Sequence, residues 1–258
     1  MASETHEPLV SVILTTRDRP RFLTLALRCY SQQAYRRREL IVVDDGMQFP
    51  VPEGLVEAAG GRLIRVEPGT PLGAKLNRGV GAASGRLCQK MDDDDWYGPD
   101  FVSTMVAGLL ASWRVVCTPT LSVLMPFLFF DVERWEIRRS LDNNAPGATF
   151  LFAREDWQER PFRAVRQDED TWFMLDHLHA GGKWLAVDGL NTFLAVRHTG
   201  ALADRGHTWT HQGSGITLET HMRERPLHSS APEALLPEWA LTVYRDVRRD
   251  VLAAAHPP

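Results

Sequence analysis

The sequence predicts an α/β fold in which a mostly parallel central sheet is flanked by helices. Short apolar segments rich in Val, Ile and Leu alternate with segments whose apolar residues recur at helical spacing. Polar or acidic clusters directly follow three of the first four apolar segments. Strands that alternate with helices pair in parallel, so their carboxyl ends meet at one edge, where such sheets bind ligands. The pattern therefore predicts a nucleotide-type site at that edge.

The predicted elements alternate through the first half of the chain. The strands are Val10–Leu14, Leu40–Val43, Leu63–Val66 and Arg86–Met91. The helices begin at Pro20, Leu72 and Pro99, and the second of them ends at Ala83. Further on, we expect a helix that ends before Gly181, a strand over Asn191–Val196 and a helix over Glu238–Ala255. Proline in the first turn and glycine after the last turn are typical of such helices.

The most hydrophobic stretch, Val115–Val132, predicts buried strands rather than a membrane helix. Pro119 and Pro126 interrupt it and Asp131 adds a charge, whereas a membrane helix needs ~20 largely uninterrupted apolar residues. The first ten residues, MASETHEPLV, lack the basic and apolar regions of a secretory signal. We therefore expect no transmembrane segment.

The net charge and the cysteines indicate which partners the protein can bind and in which compartment it is expected. The chain has 29 basic and 33 acidic residues, a net charge of -4, and lacks the basic excess that holds a nucleic-acid backbone. Cys29, Cys88 and Cys117 have neither paired nor metal-type spacing and are expected to be buried thiols. We therefore expect a cytoplasmic protein that binds no nucleic acid. High Arg, Ala and Trp usage suggests a bacterial protein.

Four consecutive aspartates, Asp92–Asp95, follow the fourth predicted strand. Adjacent carboxylates repel one another unless a cation neutralises them, and oxygen ligands suit magnesium or manganese. The alternative is a solvated acidic turn in which Asp95 or Asp100 caps the next helix. The position directly after a buried strand favours the metal.

The stretch LCQKMDDDDWYGPDF resembles the strand and DxD motif of family 2 glycosyltransferases. The resemblance covers about Pro8 to Trp209 and implies the GT-A fold, with a smaller acceptor-side part. By this match Asp92 and Asp94 form the DxD pair, and Asp94 binds Mn²⁺ or Mg²⁺ with help from Asp92 or Asp95. The resemblance also implies that Asp92 and Asp93 bind the nucleotide sugar.

Two earlier motifs are similar to the nucleotide pocket of the same family. In PLVSVILTTRDRPRF, the residues after the strand, Thr15, Thr16 and Arg17, would line the pocket. In ELIVVDDGMQ, Asp45 would receive the base, with Asp44 beside it, although Met47 stands where serine is common.

The segment GTPLGAKLNRGVGAASG resembles the family segment that precedes the acidic motif. Lys75 stands where arginine is usual, and Asn77 follows it. The resemblance implies that both bind the nucleotide or its diphosphate. The alternative is a surface helix with an exposed lysine.

Two later segments resemble the donor-sugar strand and the helix that carries the catalytic base. In PGATFLFAREDWQERPF, Gly147 and Ala148 would let the sugar approach the backbone. In RQDEDTWFMLDHLHAGG, Asp170 matches the general base and Glu169 its orienting or acceptor-side partner. A carboxylate at a helix start stays ionised at neutral pH, as a base must. The alternative is a charge-complemented helix start without catalytic function.

AVRHTGALADRGHTW resembles a loop of the family in which a histidine completes the metal site or closes over the diphosphate. Here either His198 or His207 could fill that position. His198 is preferred because it directly follows a predicted strand.

These features predict an inverting, metal-assisted glycosyltransferase that uses a nucleotide sugar, in particular a UDP-sugar, and an unidentified acceptor. The acceptor is a small molecule, a glycan or a carrier-bound group. Residues 1–115 would bind the donor, residues 116–225 would supply acceptor binding and the base within the same domain, and residues 226–258 would form a tail and helix. That helix is expected to pack on the core or on a partner subunit of a homodimer. The rival functions are a non-catalytic nucleotide-sugar-binding module and a metal-dependent nucleotidyltransferase or phosphohydrolase.

Overall fold

Helices and strands alternate from the first strand to the fourth in the computed structural model, which describes residues 7–113, 121–140, 145–198, 222–226 and 231–255. The strands are β1 Val10–Thr16, β2 Arg38–Asp44, β3 Gly61–Arg65, β4 Leu87–Asp92, β5 Trp96–Tyr97, β6 Leu121–Leu124, β7 Leu128–Asp131, β8 Glu136–Ser140, β9 Leu151–Ala153, β10 Trp184–Val187, β11 Phe193–Arg197 and β12 Met222–Pro226. The helices are α1 Pro20–Ser31, α2 Glu53–Ala58, α3 Leu72–Gly81, α4 Phe101–Trp113, α5 Arg154–Glu159, α6 Glu169–His179 and α7 Glu238–Ala255.

The larger sheet has the strand order β10-β6-β9-β4-β1-β2-β3. Only β9 runs against its neighbours β4 and β6, and the other described pairs are parallel. The register sets Thr16 beside Asp44 and Thr15 beside Asp92. The predicted α/β fold with a mostly parallel sheet is thus confirmed, and the polar ends of β1, β2 and β4 lie at one edge.

Helices cover both faces of this sheet. One apolar cluster joins side chains of α1, α4 and α7, among them Phe22, Met105 and Tyr244, to alternate residues of the strands. The other joins α3 and α6, through Leu76 and Phe173, to the remaining strand residues. Since successive side chains of a strand point to opposite faces, the near-continuous apolar runs predicted for the strands are needed to fill both layers.

A smaller sheet of the order β12-β8-β7-β11-β5 completes the described fold. The short strand β5, directly after the acidic run, pairs antiparallel with β11. Residues 121–124 and 127–132 of the most hydrophobic stretch lie buried in β6, β7 and their flanks, as predicted, and Met125 and Pro126 between them are partly buried. In the ranges that the structure covers, none of the helices combines the length and apolar character needed to cross a membrane.

Some predicted boundaries were wrong. The segment around Gly147 and Ala148, expected as a strand, is a 3₁₀ turn over Gly147–Thr149, and β9 begins only at Leu151. The turn closes through a hydrogen bond from Thr149 N to Pro146 O of 3.0 Å. The expected strand over Asn191–Val196 begins at Phe193, after a 3₁₀ turn.

The cysteines that the structure describes agree with the prediction of buried thiols. Cys29 and Cys88 are free and buried. Burial raises the pKa of each thiol to about 12, so neither is a reactive thiolate at neutral pH. Cys117 lies outside the described residues.

Candidate functional site

The end of β2 carries an ion pair that the sequence did not reveal. Lys75, from the first turns of α3, donates a hydrogen bond of 2.7 Å to Asp45 Oδ1. Both side chains are buried, so the alternative of an exposed surface lysine is wrong. Arg17 Nε lies 3.9 Å from Asp45 Oδ2, and Gly69 N donates to the same oxygen at 3.1 Å. Asp45 thus joins the ends of β1 and β2 to the segment before α3.

Asp44 and Asp18 hold the loop that follows β2. Asp44 accepts hydrogen bonds from Gly46 N at 2.7 Å and Val51 N at 2.8 Å. Asp18 Oδ1 accepts three backbone N–H groups, those of residues 47, 48 and 49. Burial raises the pKa of Asp18, but these bonds and nearby Arg17 outweigh it, and the net pKa is lowered. The carboxylates of Asp44 and Asp18 therefore both hold this loop through its backbone N–H groups.

Asn77 faces protein groups in this structure. Its side chain donates to Phe162 O at 2.7 Å and accepts from Trp157 Nε1 at 2.8 Å and Phe162 N at 3.0 Å. These bonds attach α3 to the segment after α5. The prediction that Asn77 binds the donor stays a prediction, and this geometry favours a supporting role.

The acidic run after β4 is buried. Asp93, Asp94 and Asp95 are between 2% and 4% exposed, so the alternative of a solvated turn is wrong. Thr16 Oγ1 donates to Asp93 at 2.7 Å, and Arg19 Nη1 bridges Asp93 at 2.9 Å and Asp94 at 3.1 Å. Burial raises the pKa of Asp93, Arg19 opposes this rise and Asp94 adds to it.

Asp95 links the acidic run to β11. Its Oδ1 accepts the backbone N–H of Val196 at 2.7 Å, and Arg197 Nη1 lies 3.8 Å away. Burial and the neighbouring Asp94 raise the pKa of Asp95 well above its usual range, against the opposing effect of Arg197. The Arg197 guanidinium itself lies over the ring of Phe129 at 4.9 Å. Asp95 therefore attaches the acidic run to β11.

His198 lies directly after β11 and beside Asp94. Its Nε2 is 3.5 Å from Asp94 Oδ2, and its ring stacks on Phe22 with the centroids 4.9 Å apart. The imidazole is 2% exposed, and neither ring nitrogen has a hydrogen-bond partner among the described residues. Across the described ranges no three carboxylate, imidazole or thiol groups converge as a preformed metal cage. His207, the other candidate, lies outside those ranges.

Tyr97 connects the acidic run to the turn at Gly147. Its hydroxyl accepts the N–H of Asp92 at 2.8 Å and donates to Ala148 O at 3.1 Å. A Cβ at Gly147 would lie 2.1 Å from Asp170 Oδ2, a distance that real Cβ atoms do not tolerate. The glycine therefore makes room for the Asp170 carboxylate.

Thr15, the last residue but one of β1, is buried on the strand that pairs with β4.

Helix α6 is anchored so that its first turn faces the sheet edge. Phe173 stacks on Phe162 with centroids 3.9 Å apart and contacts Phe152 at 4.9 Å. Glu169 precedes Phe173 by four residues and thus shares its buried face. Asp170 is the next residue, and its Oδ1 accepts Thr171 N at 2.7 Å. At the other end Gly181, with φ of +83°, closes the helix as predicted.

Glu169 meets Lys90, a lysine inside strand β4. The Nζ atom of Lys90 lies 3.3 Å from Glu169 Oε1 and 3.2 Å from Asp92 Oδ1. Burial raises the pKa of Glu169 to about 7; Lys90 lowers it, whereas Asp170 and Asp92 raise it. Glu169 therefore carries a proton below neutral pH and a charge above it.

The raised pKa of Glu169 makes folding stability depend on pH. The ordinary value is 4.5 and the folded value is about 7, so the folded state retains the proton longer. The stabilisation is complete below about pH 4.5, declines up to about pH 7 and is absent above it. Relative to Glu169→Gln, the wild type should lose on the order of 2–3 kcal/mol of unfolding free energy across this interval. Urea unfolding at a series of pH values measures the difference, and parallel curves would contradict it.

Sequence reasoning missed several residues that shape the site: Arg19, Lys90, Tyr97, Arg197 and Tyr244. Lys90 could have been identified from the sequence, because a charged side chain within an otherwise apolar buried strand requires a partner of opposite charge. Arg19 stands in the polar break after β1 and could have been paired with the acidic run. Tyr244 had no local signal, since its hydroxyl contacts Asp94 O, 150 residues away in sequence, at 3.2 Å.

Comparisons with known proteins agree with this architecture. Residues 11–176, well over half of the chain, match the model of the family described as Glycosyl transferase family 2. EpsH of Bacillus subtilis (strain 168), a protein named as a glycosyltransferase, is 29% identical over 103 residues, which are 38% of this chain and 30% of EpsH.

Solved structures share the fold at low sequence identity. The mannosyltransferase PcManGT from Pyrobaculum calidifontis, in complex with GDP-Man and Mn²⁺, is 14% identical with a TM-score of 0.59, over 76% of this chain and 58% of that one. S. aureus TarS 1-349 in complex with UDP-GlcNAc is 14% identical with a TM-score of 0.57, over 74% and 59%. The chain thus spans less than two thirds of each of these relatives.

The family match and the structural neighbours confirm the GT-A fold that the resemblance implied. The residues that match the family model include both the acidic run and the first turn of α6. On this basis the chain belongs to glycosyl transferase family 2.

Proposed function

We propose that this chain is an inverting glycosyltransferase that moves a sugar from a nucleotide sugar, in particular a UDP-sugar, to an acceptor hydroxyl or amine. The observation that supports it most is the meeting of three groups at one sheet edge. These are the Asp45–Lys75 pair, the acidic run and the first turn of α6, with Lys90 in contact with both Asp92 and Glu169. The complexes of TarS with UDP-GlcNAc and of PcManGT with GDP-Man and Mn²⁺ support the same type of donor.

The donor nucleotide is assigned to the ends of β1 and β2. Thr15, Thr16 and Arg17 form one wall, and Asp45, oriented by Lys75, receives the base. Asp44 and Asn77 bond to protein groups, so they support the pocket rather than contact the nucleotide. Gly147 and Ala148 form the part of the wall nearest the sugar.

A divalent metal, Mn²⁺ or Mg²⁺, fits beside Asp94. The buried nitrogens of His198 have no hydrogen-bond partner within the part of the chain that the structure describes, and Nε2 lies 3.5 Å from an Asp94 oxygen, so an imidazole and a carboxylate face the same space. Asp92 is the further candidate ligand, while Asp95 is already bonded to β11. Such ions need few protein ligands when phosphate oxygens and water supply the rest. When bound, the ion offsets the charge of the leaving diphosphate.

Asp170 acts as the general base in this proposal. Its carboxylate accepts the proton of the acceptor group while the acceptor atom bonds to the anomeric carbon. The bond from that carbon to the diphosphate breaks on the opposite face, and its electron pair leaves with the nucleoside diphosphate. A single displacement inverts the configuration, so the chain needs no sugar-binding nucleophile. Gly147 leaves space for the Asp170 carboxylate, because it has no Cβ.

The proposal assigns a different role to each of three segments of the chain. Residues 1–115 bind the donor, and residues 116–225 carry the base and the acceptor surface of the same domain. Residues 226–258 include α7, which packs on the core and supports the acidic run through Tyr244.

The released product separates this function from its rivals. We expect release of a nucleoside diphosphate from one member of a panel of UDP-, GDP- and dTDP-sugars, accelerated by an acceptor. Pyrophosphate released from a nucleoside triphosphate would instead identify a nucleotidyltransferase. Binding of a nucleotide sugar without any turnover, even to water, would identify a binding module.

Replacement of Tyr244 by Phe tests whether α7 supports the donor site. The change removes the hydrogen bond to Asp94 O and should lower the unfolding free energy by about 1 kcal/mol. It should also weaken Mn²⁺-dependent nucleotide binding, because the acidic run loses a fixed point. Tyr35→Phe is the matched control, since it removes a buried hydroxyl bond to Pro8 O far from the acidic run. Equal effects of the two variants on binding, measured by calorimetry, would refute the supporting role.

A further inference from the structure

Lys90 is a buried charge that the proposed steps do not use. It is 3% exposed, in the middle of β4. On this strand Leu87 and Met91 belong to the apolar cluster under α1 and α4, and Cys88 belongs to the cluster under α3 and α6. Because side chains alternate along a strand, Lys90 points to the same face as Cys88, toward the start of α6.

The backbone around Lys90 is held on both sides. Lys90 N donates to Phe150 O at 2.9 Å. The buried Gln89 side chain donates to the carbonyl oxygens of Lys90, Thr149 and Phe150, each at 3.0 to 3.1 Å. The base of the lysine is thus fixed against the turn that contains Gly147, which is also the turn that packs on Asp170.

The ammonium group contacts two carboxylates that belong to different sides of the site. Asp92 lies two residues along β4, at the donor end, and its oxygens are 3.2 and 3.4 Å from Nζ. Glu169 begins α6, at the base end, with Oε1 at 3.3 Å. A buried ammonium costs several kcal/mol to desolvate, and an apolar residue would fill a strand interior without that cost. Its retention here indicates a use beyond packing.

We infer that Lys90 is a positioning residue that couples the donor side of the site to the base side. It holds the Asp92 carboxylate and the first turn of α6 at a fixed separation, and thereby sets the distance from the anomeric carbon to Asp170. This inference rests on the proposed glycosyl transfer. Without the ammonium, Asp92 and Glu169 lose the partner that they share, and the first turn of α6 is no longer held against β4.

The matched comparison is with Lys75, the other buried lysine at this edge. Lys75 bonds to Asp45 at 2.7 Å, on the donor side only. Lys90→Met removes the ammonium that holds Asp92, a candidate metal ligand, so the Kd for UDP or GDP with Mn²⁺ should rise by roughly tenfold or less. Its kcat should fall further, by roughly 10²-fold, as expected for a displacement of about 1 Å. Lys75→Met should show the reverse pattern, with weaker nucleotide binding and a nearly normal kcat.

A double-mutant cycle separates positioning from general destabilisation. We expect Glu169→Gln also to lower kcat, and the double variant K90M/E169Q to be no slower than the slower single variant, because both act through one contact. The double variant is also the second test if K90M alone does not fold, since it removes both buried charges. Additive losses in kcat, a normal kcat in K90M, or a loss of nucleotide affinity in K90M like that of K75M would overturn the inference.

The two proposals fail in different ways. The probes are UDP-GlcNAc and GDP-mannose with Mn²⁺, and the readouts are calorimetric Kd and release of UDP or GDP. A wild type that binds and turns over neither would contradict the proposed function and the coupling together. An active wild type whose K90M variant keeps its kcat would contradict the role of Lys90 alone.

Discussion

Replacement of Asp170 by Asn is expected to lower turnover by about 10²- to 10⁴-fold, the usual contribution of a general base. The amide cannot accept the acceptor proton, but it keeps the size of the carboxylate that packs against Gly147. Affinity for the nucleotide and Mn²⁺ should be unchanged, because the groups assigned to them lie outside α6, at the ends of β1, β2, β4 and β11. Steady-state release of the nucleoside diphosphate measures kcat, and calorimetry measures the nucleotide affinity.

The control for this variant lies on the same helix. Asp176 pairs with Arg163 on the exposed side of α6, and exposed ion pairs contribute little to stability. Asp176→Asn should therefore retain wild-type turnover. Near-normal transfer by D170N, with metal and donor binding intact, would remove Asp170 from the mechanism.

Gly147→Ala is expected to have the second large effect. The added Cβ would lie 2.1 Å from Asp170 Oδ2 and 2.3 Å from its Cβ, so the turn or the start of α6 must move. Overpacking of this kind costs about 1–3 kcal/mol of unfolding free energy. A shift of about 1 Å at the base can cost a further 10²-fold in turnover. Thermal unfolding and kcat on the same preparation measure both effects.

Gly54→Ala is the matched substitution for Gly147→Ala. A Cβ at Gly54, within α2, meets nothing within 4 Å, and alanine is the better helix former by up to ~1 kcal/mol. We expect this variant to be as stable as wild type or slightly more stable, with unchanged turnover. If G147A retained full activity and stability, the close packing of the turn on Asp170 would be refuted.

The periodic segments made most of the fold predictable. The strands at Val10, Leu40 and Arg86 and the helix over Glu238–Ala255 follow from apolar runs and helical spacing, and the structure contains all of them. Short elements were not predictable: α2, with Val56 as its buried residue, and β5, with two residues, contain too few positions to show a period. The turn at Gly147 is closed by a proline carbonyl, whereas the family resemblance implied a strand at this position.

The acids at the strand ends were identified from the sequence together with Arg17 and Lys75, whereas Arg19 and Lys90, which pair with the acidic run and with Glu169, were not. Runs of aspartate at strand ends stand out in a sequence, because buried strands cannot hold them. Their partners come from distant segments: Arg19 reaches Asp93 across 74 residues and Lys90 reaches Glu169 across 79 residues. The spacing of residues along a short segment cannot predict a pair between residues that are so far apart in sequence. Even so, Lys90 could have been singled out by its place within an apolar strand.

The central claim is that the acidic run binds a nucleotide sugar through a divalent metal. Calorimetric titration of wild type and Asp94→Ala with UDP-, GDP- and dTDP-sugars, in Mn²⁺ or in EDTA, tests it most directly. We predict that one nucleotide class binds only in Mn²⁺, and that D94A weakens this binding at least about 100-fold, the loss expected when a buried charge contact of roughly 3 kcal/mol is removed. The claim would be contradicted if wild type bound the nucleotide sugar as tightly in EDTA as in Mn²⁺, or if D94A bound it as tightly as wild type. Absence of binding for every nucleotide sugar would contradict it as well.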